Sequence, residues 1–477
     1  MSTSASETGP DEPEQVVGEL LTRGRRAMDR IADYDQQQVD DLVRAAGWAV
    51  YEEQRCREIS ELAVEESGLG DVEDKFAKKR RKIAGTLAET VGEPSVGVVN
   101  RDESRGITEV AKPVGVVGAV VPSTNPGATP TLLAMMALKG RNAIVLSPSP
   151  RGLAVCETVV EYIREQLRRV GAPADLVTML PPPVSKAKTY ELMDRVDLLQ
   201  VTGSGNNVRR GQESGTPNYC VGQGNPVAVV DETADVEAAA GRIAQSKTFD
   251  NGTSCSSEGN AAVVSAVYEE TLAALQAEGG YLCDAEERER VRETLFPDGS
   301  LSREAIASPA GEIAAMAGVE APAAREASFL ITRGRGVGEE YPLSGEKIAP
   351  VLNVFEVPDF EAALALTRRI LDYEGAGHST GVHTTDPERA QRAGEAIDVA
   401  RLLVNQVHAF GNGGHHTNGL GCTLSEGAGT WGDNQLDENV TYEQFIQTTT
   451  VSEPFEASPP DGEALFEPYR ERYGEEA

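Results

Sequence analysis

An α/β protein with two doubly wound α/β domains, plus a small hairpin and a separate strand, is the fold class this sequence predicts. Three observations carry that reading. The chain has 477 residues, too many for one ordinary hydrophobic core. From residue 114 onward, short continuous apolar runs alternate with amphipathic stretches, the βαβα order of parallel sheets covered on both faces. Two short segments near 96–111 and one near 440–450 read as strands outside that alternation.

The elements follow in order. Residues 1–14 are acidic, lack an apolar stretch and read as a disordered tail. Leu20, Leu21, Ala27, Met28 and Ile31 recur at helical spacing, as do Val39, Leu42, Val43 and Ala46, with Asp35 placed to cap the second helix. Val96–Asn100 and Gly106–Ala111 flank a polar RDES turn and predict a hairpin. Val114–Val121, Ala143–Leu146, Leu176–Leu180, Leu198–Thr202 and Val227–Val230 predict strands. Helices over 132–138, 155–169, 188–195 and 206–213 fall between them. The domain division expected is 15–235 for a first, cofactor-binding domain with the hairpin at 95–111, and 236–435 for a second, catalytic domain. Residues 436–477 are expected to hold a strand and an acidic tail. Hairpin and strand are the segments expected to join subunits into a homodimer or homotetramer.

Composition narrows the function. The net charge is −32, from 76 acidic and 44 basic residues, a surface that repels nucleic acid and anionic membranes. Only about ten of the basic residues are Lys. That balance resembles proteins of salt-loving organisms, in which salt screens the self-repulsion over a Debye length of roughly 3 Å at 1 M. No apolar run approaches the roughly 20 residues of a membrane span, and the protein is expected in the cytoplasm. Cys56, Cys156, Cys220, Cys255, Cys283 and Cys422 are scattered, with no CxxC pair and no metal-like grouping with His. Such thiols are packing residues by default.

One of them has different neighbours. Lys247–Glu258 reads KTFDNGTSCSSE, so Cys255 sits among small polar residues before an apolar run at Ala261–Val264. Composition alone leaves a packing role open, but these neighbours leave a thiol accessible with backbone N–H groups close by.

The segment resembles the nucleophile segment of the CoA-acylating aldehyde dehydrogenases, the family of acetaldehyde and sulfoacetaldehyde dehydrogenases. Further segments are similar and follow in the family's order: PVGVVGAVVPSTNPGATP (113–130), ALKGRNAIVLSPSPRG (137–152), VTGSGNNV (201–208), VGQGNPVAVVDETAD (221–235), EKIAPVL (346–352), GAGHSTGVHT (375–384) and GAGTWGDNQLDENV (427–440). The resemblance runs from about residue 16 to 450. It implies an aldehyde-dehydrogenase-like fold that makes an acyl-CoA from an aldehyde, with NAD or NADP taking the hydride and CoA as co-substrate.

It also implies roles. Cys255 attacks the aldehyde carbon, and the Asn125 side chain and the Cys255 N–H hold the resulting oxyanion. By itself Asn125 also reads as a turn residue before Pro126. Pro122, Ser123 and Thr124, with Gly203, Ser204, Val208 and Gly224, line the cofactor. Val208 stands where a GxGxxG loop has its third glycine. Ser147 falls where hydrolytic relatives often carry Lys, which leaves NAD against NADP open, and Glu346 resembles the carboxylate that holds the nicotinamide ribose. Hydrolytic relatives also carry a water-activating Glu in the segment matching Tyr219–Pro226. Here that segment reads YCVGQGNP, with Cys220 at the Glu position and no acid at all. Without the base, a thiol outcompetes water for the acyl group. His378 is expected to line the site or pack in the core. His415 and His416, on GNGGHHTNG, are expected to meet CoA phosphates or a substrate sulfonate. PSTNPGATP and GNGG followed by NGL are closer to the sulfoacetaldehyde enzymes. The rivals are a hydrolytic enzyme releasing a free acid and a non-catalytic assembly member of the fold. No metal is expected.

Overall fold

The computed structural model describes residues 12–474. Of the expected N-terminal tail, residues 1–11 lie outside the described residues, and a helix already begins at Pro13. No helix among the described residues is long and apolar enough to cross a membrane.

Four helices come first. Gln36–Tyr51 begins on the expected Asp35, within a reciprocal box: Asp35 accepts the Gln38 amide at 2.9 Å, and the Gln38 side chain accepts the Asp35 amide at 3.0 Å. The helix Val72–Thr90 is unusual. Lys75, Lys78, Lys79 and Lys82 all lie on its buried side, at the i, i+3, i+4, i+7 spacing where a surface helix normally places apolar residues.

Strands β1 (Gly97–Asp102) and β2 (Ile107–Pro113) form the predicted antiparallel hairpin. Next come β3 (Val116–Val121), β4 (Ala143–Pro148), β5 (Val177–Met179), β6 (Leu198–Thr202) and β7 (Asn218–Val221). They form one parallel sheet in the order β5-β4-β3-β6-β7. The strand order reverses between β3 and β6, the switch point where open parallel sheets bind ligands at their C-terminal edge.

The second sheet contains β8 (Val227–Val230), β9 (Asn260–Val264), β10 (Gly280–Leu282), β11 (Phe329–Arg333), β12 (Val351–Val357), β13 (Thr380–His383) and β14 (Leu402–Val404). Their order is β10-β11-β12-β9-β8-β13-β14, again parallel throughout. One expectation is corrected here: β8 was grouped with the first sheet but pairs with β9 and β13 in the second. The change of sheet therefore falls before residue 227 rather than at 235.

The C-terminal end brings two more corrections. β15 (Ile446–Ser452) starts later than residue 440, after a tight turn at Tyr442–Phe445 that buries Phe445. It pairs with β2, making a three-stranded antiparallel sheet in the order β1-β2-β15 with β15 at its edge. The region read as a tail contains a helix, Gly462–Tyr473, whose first amides are capped by Asp461 at 3.0 and 3.2 Å. Its Leu465 and Phe466 are 70% and 66% exposed.

Candidate active site

The residues singled out from the sequence converge on one edge of each sheet. Pro122, Ser123, Thr124 and Asn125 follow the C-terminal end of β3, and Gly203 and Ser204 that of β6. From the second sheet the contributions come before strands. Gly224 precedes β8, Cys255 β9, Glu346 β12 and His378 β13. A chain of buried Asn side chains sets these N-terminal ends. Asn225 and Asn260 both donate to the Ser344 carbonyl, at 2.8 and 2.9 Å; Asn260 donates to Asn225 at 3.0 Å, and Asn353 to Asn260 at 3.2 Å.

Cys255 is half-buried, while the other five cysteines are buried. The turn that delivers it is strained: Asp250, Asn251 and Gly252 all have left-handed backbone, at φ 53°, 51° and 70°. L-residues adopt that region at a cost of roughly 1–2 kcal/mol each, so neighbours must fix it. Asp250 is fully buried and does so. Its Oδ2 accepts Lys78 Nζ at 2.6 Å, Lys75 Nζ at 3.1 Å and the Thr253 hydroxyl at 2.6 Å; its Oδ1 accepts the Asp71 amide at 2.8 Å. Although burial opposes ionisation, the two ammonium groups hold this carboxyl at about 2. The far side of the loop is held by His408, which donates from Nδ1 to the Ser256 carbonyl at 2.8 Å, and by Asn412, which donates to Ser256 Oγ at 2.9 Å.

Lys78 also orients the Asn125 amide. Its Nζ donates to Asn125 Oδ1 at 3.0 Å and to Thr253 Oγ1 at 3.4 Å. The carbonyl end of the Asn125 amide is thereby taken, and Nδ2 remains as the donor. The Cys255 N–H donates to no acceptor among the described residues. Two free donors and a half-open thiol are what a tetrahedral thiohemiacetal requires.

The loop after β6 is open. The helix Gly205–Gln212 starts at Ser204 without a side-chain cap, leaving its first amides free for an anionic ligand. Gly203 has φ 156° and nothing within 4 Å of where a Cβ would stand. Both features fit a dinucleotide pyrophosphate. Val208 is half-buried and packs on the core cluster that includes Cys220. Ser147 is buried at the end of β4 with its hydroxyl 2.9 Å from that of Thr189. Glu346 is no free surface acid. It is half-buried, its Oε1 accepts the Gly224 amide at 3.1 Å, and burial pushes it up to about 8.

Gly224 itself has no room for a side chain, since a Cβ would lie 2.5 Å from the Cys255 carbonyl and 2.8 Å from the His378 ring. Cys220 packs at 3% exposure in the first domain's core. Among the described residues, the group gathered within 4.8 Å of Cys255 Sγ includes neither His415 nor His416. These two histidines sit in the loop after the short helix His408–Gly411, with their rings 4.0 Å apart and His415 stacked on Phe410.

Sequence reasoning missed Lys78, Asp250, Arg401 and Glu426. It also found no grouping of ligand-type residues, yet Cys255, His378 and Glu426 bring Sγ, a ring nitrogen and a carboxylate oxygen within 4.8 Å of one another. Arg401 braces this trio by donating to the His378 carbonyl at 2.8 Å and to the Gly427 carbonyl at 2.6 Å. Burial, with Glu426 and Glu346 nearby, raises the Cys255 thiol well above its ordinary value. Burial, with Arg401 and His408, keeps His378 neutral, and burial raises Glu426.

Residues 8–281 match the family model described as the aldehyde dehydrogenase family. The chain is 43% identical to a sulfoacetaldehyde dehydrogenase (acylating) of Cupriavidus necator, over 98% of this chain and 95% of that one. It is 40% identical to a sulfoacetaldehyde dehydrogenase (acylating) of Bilophila wadsworthia, over 96% of this chain and all of that one (100%). Among solved structures, an acetylating aldehyde dehydrogenase from Geobacillus thermoglucosidasius superimposes with a TM-score of 0.90 at 32% identity, covering 94% of this chain and 98% of that one.

Proposed function

Since the chain belongs to the aldehyde dehydrogenase family, in its acylating branch, we propose that it converts sulfoacetaldehyde to the corresponding acyl-CoA, with NAD or NADP as hydride acceptor. Cys255 attacks the aldehyde carbon, and Asn125 Nδ2 and the Cys255 N–H take the oxyanion. The nicotinamide, when bound, supplies the hydride acceptor. The acyl group is then left on Cys255 as a thioester, which the CoA thiol releases by exchange.

The observation that carries this reading is the crowded, acid-free stretch at 219–226. Cys220 is packed in the core, and Gly224 is pressed between the Cys255 carbonyl and His378. That stretch offers no carboxylate at the position from which hydrolytic relatives drive water onto the thioester. The sulfonate preference is supported by the two relatives and by the cationic face of Val72–Thr90, whose Arg81 guanidinium lies 4.0 Å above the Phe410 ring beside the histidine loop.

The same reading includes a cytoplasmic, salt-adapted homo-oligomer. Eight of the ten lysines are buried, leaving only Lys112 and Lys186 exposed on a chain of net charge −32. β15 leaves a free edge of the small sheet for a second copy.

The test is turnover in high salt of sulfoacetaldehyde and acetaldehyde, with NAD or NADP, with and without CoA, following products by mass. Acyl-CoA formation that requires CoA and prefers the sulfonate is expected. Free acid formed at a CoA-independent rate would overturn the acylating reading, and equal use of both aldehydes the substrate assignment.

A further inference from the structure

Both chemical steps need a thiol to lose its proton, and among the described residues the fold groups the Glu426 carboxylate with the Cys255 thiol and His378. Glu426 is 7% exposed and lies within 4.8 Å of both Cys255 Sγ and a ring nitrogen of His378. It comes from a segment far from the stretch at 219–226. Its backbone makes an isolated antiparallel bridge to Asn439, and the neighbouring Ser425 hydroxyl is 2.9 Å from that of Thr202 at the end of β6. The charged groups facing it are Lys82 and Lys78 from the helix Val72–Thr90, and Arg401. None closes an ion pair with it among the described residues. Among the described residues, His378 Nε2 is buried without a partner, while Nδ1 is occupied by Ser379 Oγ at 2.7 Å.

We propose, resting on the acylating reading, that Glu426 is the proton acceptor for both thiols. In acylation the Cys255 S–H bond breaks, its proton passes to the Glu426 carboxylate, and the Sγ–C bond forms. That proton is the one released to solvent in the net reaction. In transfer, the CoA thiol proton passes to Glu426 as its sulfur bonds to the acyl carbon. The Sγ–C bond then breaks, and the proton returns to the departing Cys255 thiolate.

The environment matches the task. The same burial that raises the thiol raises this carboxyl toward it, whereas His378, held neutral beside Arg401 and His408, is the poorer base. A positioned base contributes about 10²–10⁴-fold.

The experiment compares wild type, Glu426→Gln, Glu426→Asp and His378→Asn. It reads the pre-steady-state NAD(P)H burst, the CoA-dependent rate and the pH profile of each. Glu426→Gln is expected to slow burst and transfer by about 100-fold and to abolish the acidic limb of the profile. Glu426→Asp should restore part of the rate, and His378→Asn should keep the limb. Iodoacetamide reacts with preformed thiolate, and removing a carboxylate beside that thiolate relieves repulsion. Alkylation of Cys255 in Glu426→Gln should therefore be as fast as in wild type or faster. A burst within threefold of wild type, an acidic limb that persists in Glu426→Gln, or a limb lost only in His378→Asn overturns the proposal. So does alkylation slowed in parallel with the burst, which marks a disordered site. If wild type gives no CoA-dependent product, the acylating reading fails instead, and the two failures are distinguishable.

Discussion

Two loops rich in Gly and small polar residues meet in this molecule, through the edge-to-face pair Phe249–Phe410 at 4.8 Å. Phe249–Glu258 carries Cys255, the proposed nucleophile; Phe410–Leu420 carries His415 and His416. Their compositions are alike but their physical states are not. The first is left-handed over three residues and held by a buried carboxylate between two lysines. The second is anchored at Gly413 and Gly414, whose carbonyls accept Lys82, and then runs half-exposed to exposed through the histidines. The difference teaches that small residues permit a functional loop without specifying its role. Charged groups from elsewhere in the chain decide which loop is rigid enough to align a covalent step.

Removing the nucleophile tests that contrast most severely. Cys255→Ala should lower acyl-CoA formation by about 10⁶-fold, in line with the loss of other covalent nucleophiles, while dinucleotide binding by fluorescence titration stays intact. Asp250→Asn strips the turn of its clamp and leaves two buried lysines uncompensated. Breaking one side of such a pair costs about 3–5 kcal/mol, so calorimetry should show a lower melting temperature along with the loss of activity.

The pH dependence of that clamp has a definite sign. The folded carboxyl sits at about 2, against an ordinary 3.8. Its contribution is thus complete above pH 3.8 and is lost as pH falls toward 2. Wild type should surrender its advantage over Asp250→Asn in that window.

Lys78→Met frees the Asn125 amide to rotate, and kcat should fall by about 100-fold with little change in KM, the signature of a lost oxyanion donor. The smallest effect belongs to the second loop. Changing His415 and His416 together to Ala should raise the KM for sulfoacetaldehyde by about two- to fivefold, as expected for the loss of hydrogen bonds worth about 1 kcal/mol or less. A larger effect there than at Lys78 would reverse the ranking of the two loops.

Much of the fold was legible because the first sheet follows local rules. Leu198–Thr202 is an apolar run bounded as predicted, and Asp35 caps through its own neighbour three residues on. Val227–Val230 was found as a strand but assigned to the wrong sheet, since VAVV is equally apolar in either, and only pairing with β9 and β13 decides. Of the site, Cys255 was marked by its small polar neighbours, and Asn125 only by the resemblance of the segment 113–130, since by itself it reads as a turn residue. Glu426 did not stand out, because its importance comes from Cys255 and His378, 171 and 48 positions away. KFAKKRRK reads as an ordinary solvated charge run. Lys75 and Lys78 are buried against Asp250, some 170 residues on, and Lys82 against the Gly413 and Gly414 carbonyls, more than 330 residues on.

That inward placement of lysine alters how the molecule meets amine chemistry. A reagent that couples to primary amines would find only two side chains standing outward, Lys112 on β2 and Lys186 at the start of the helix Lys186–Arg195. Attachment of a label or a resin through either would leave Cys255 and its surroundings unmarked, so the protein can be tethered by its lysines and still be addressed at its single half-open thiol.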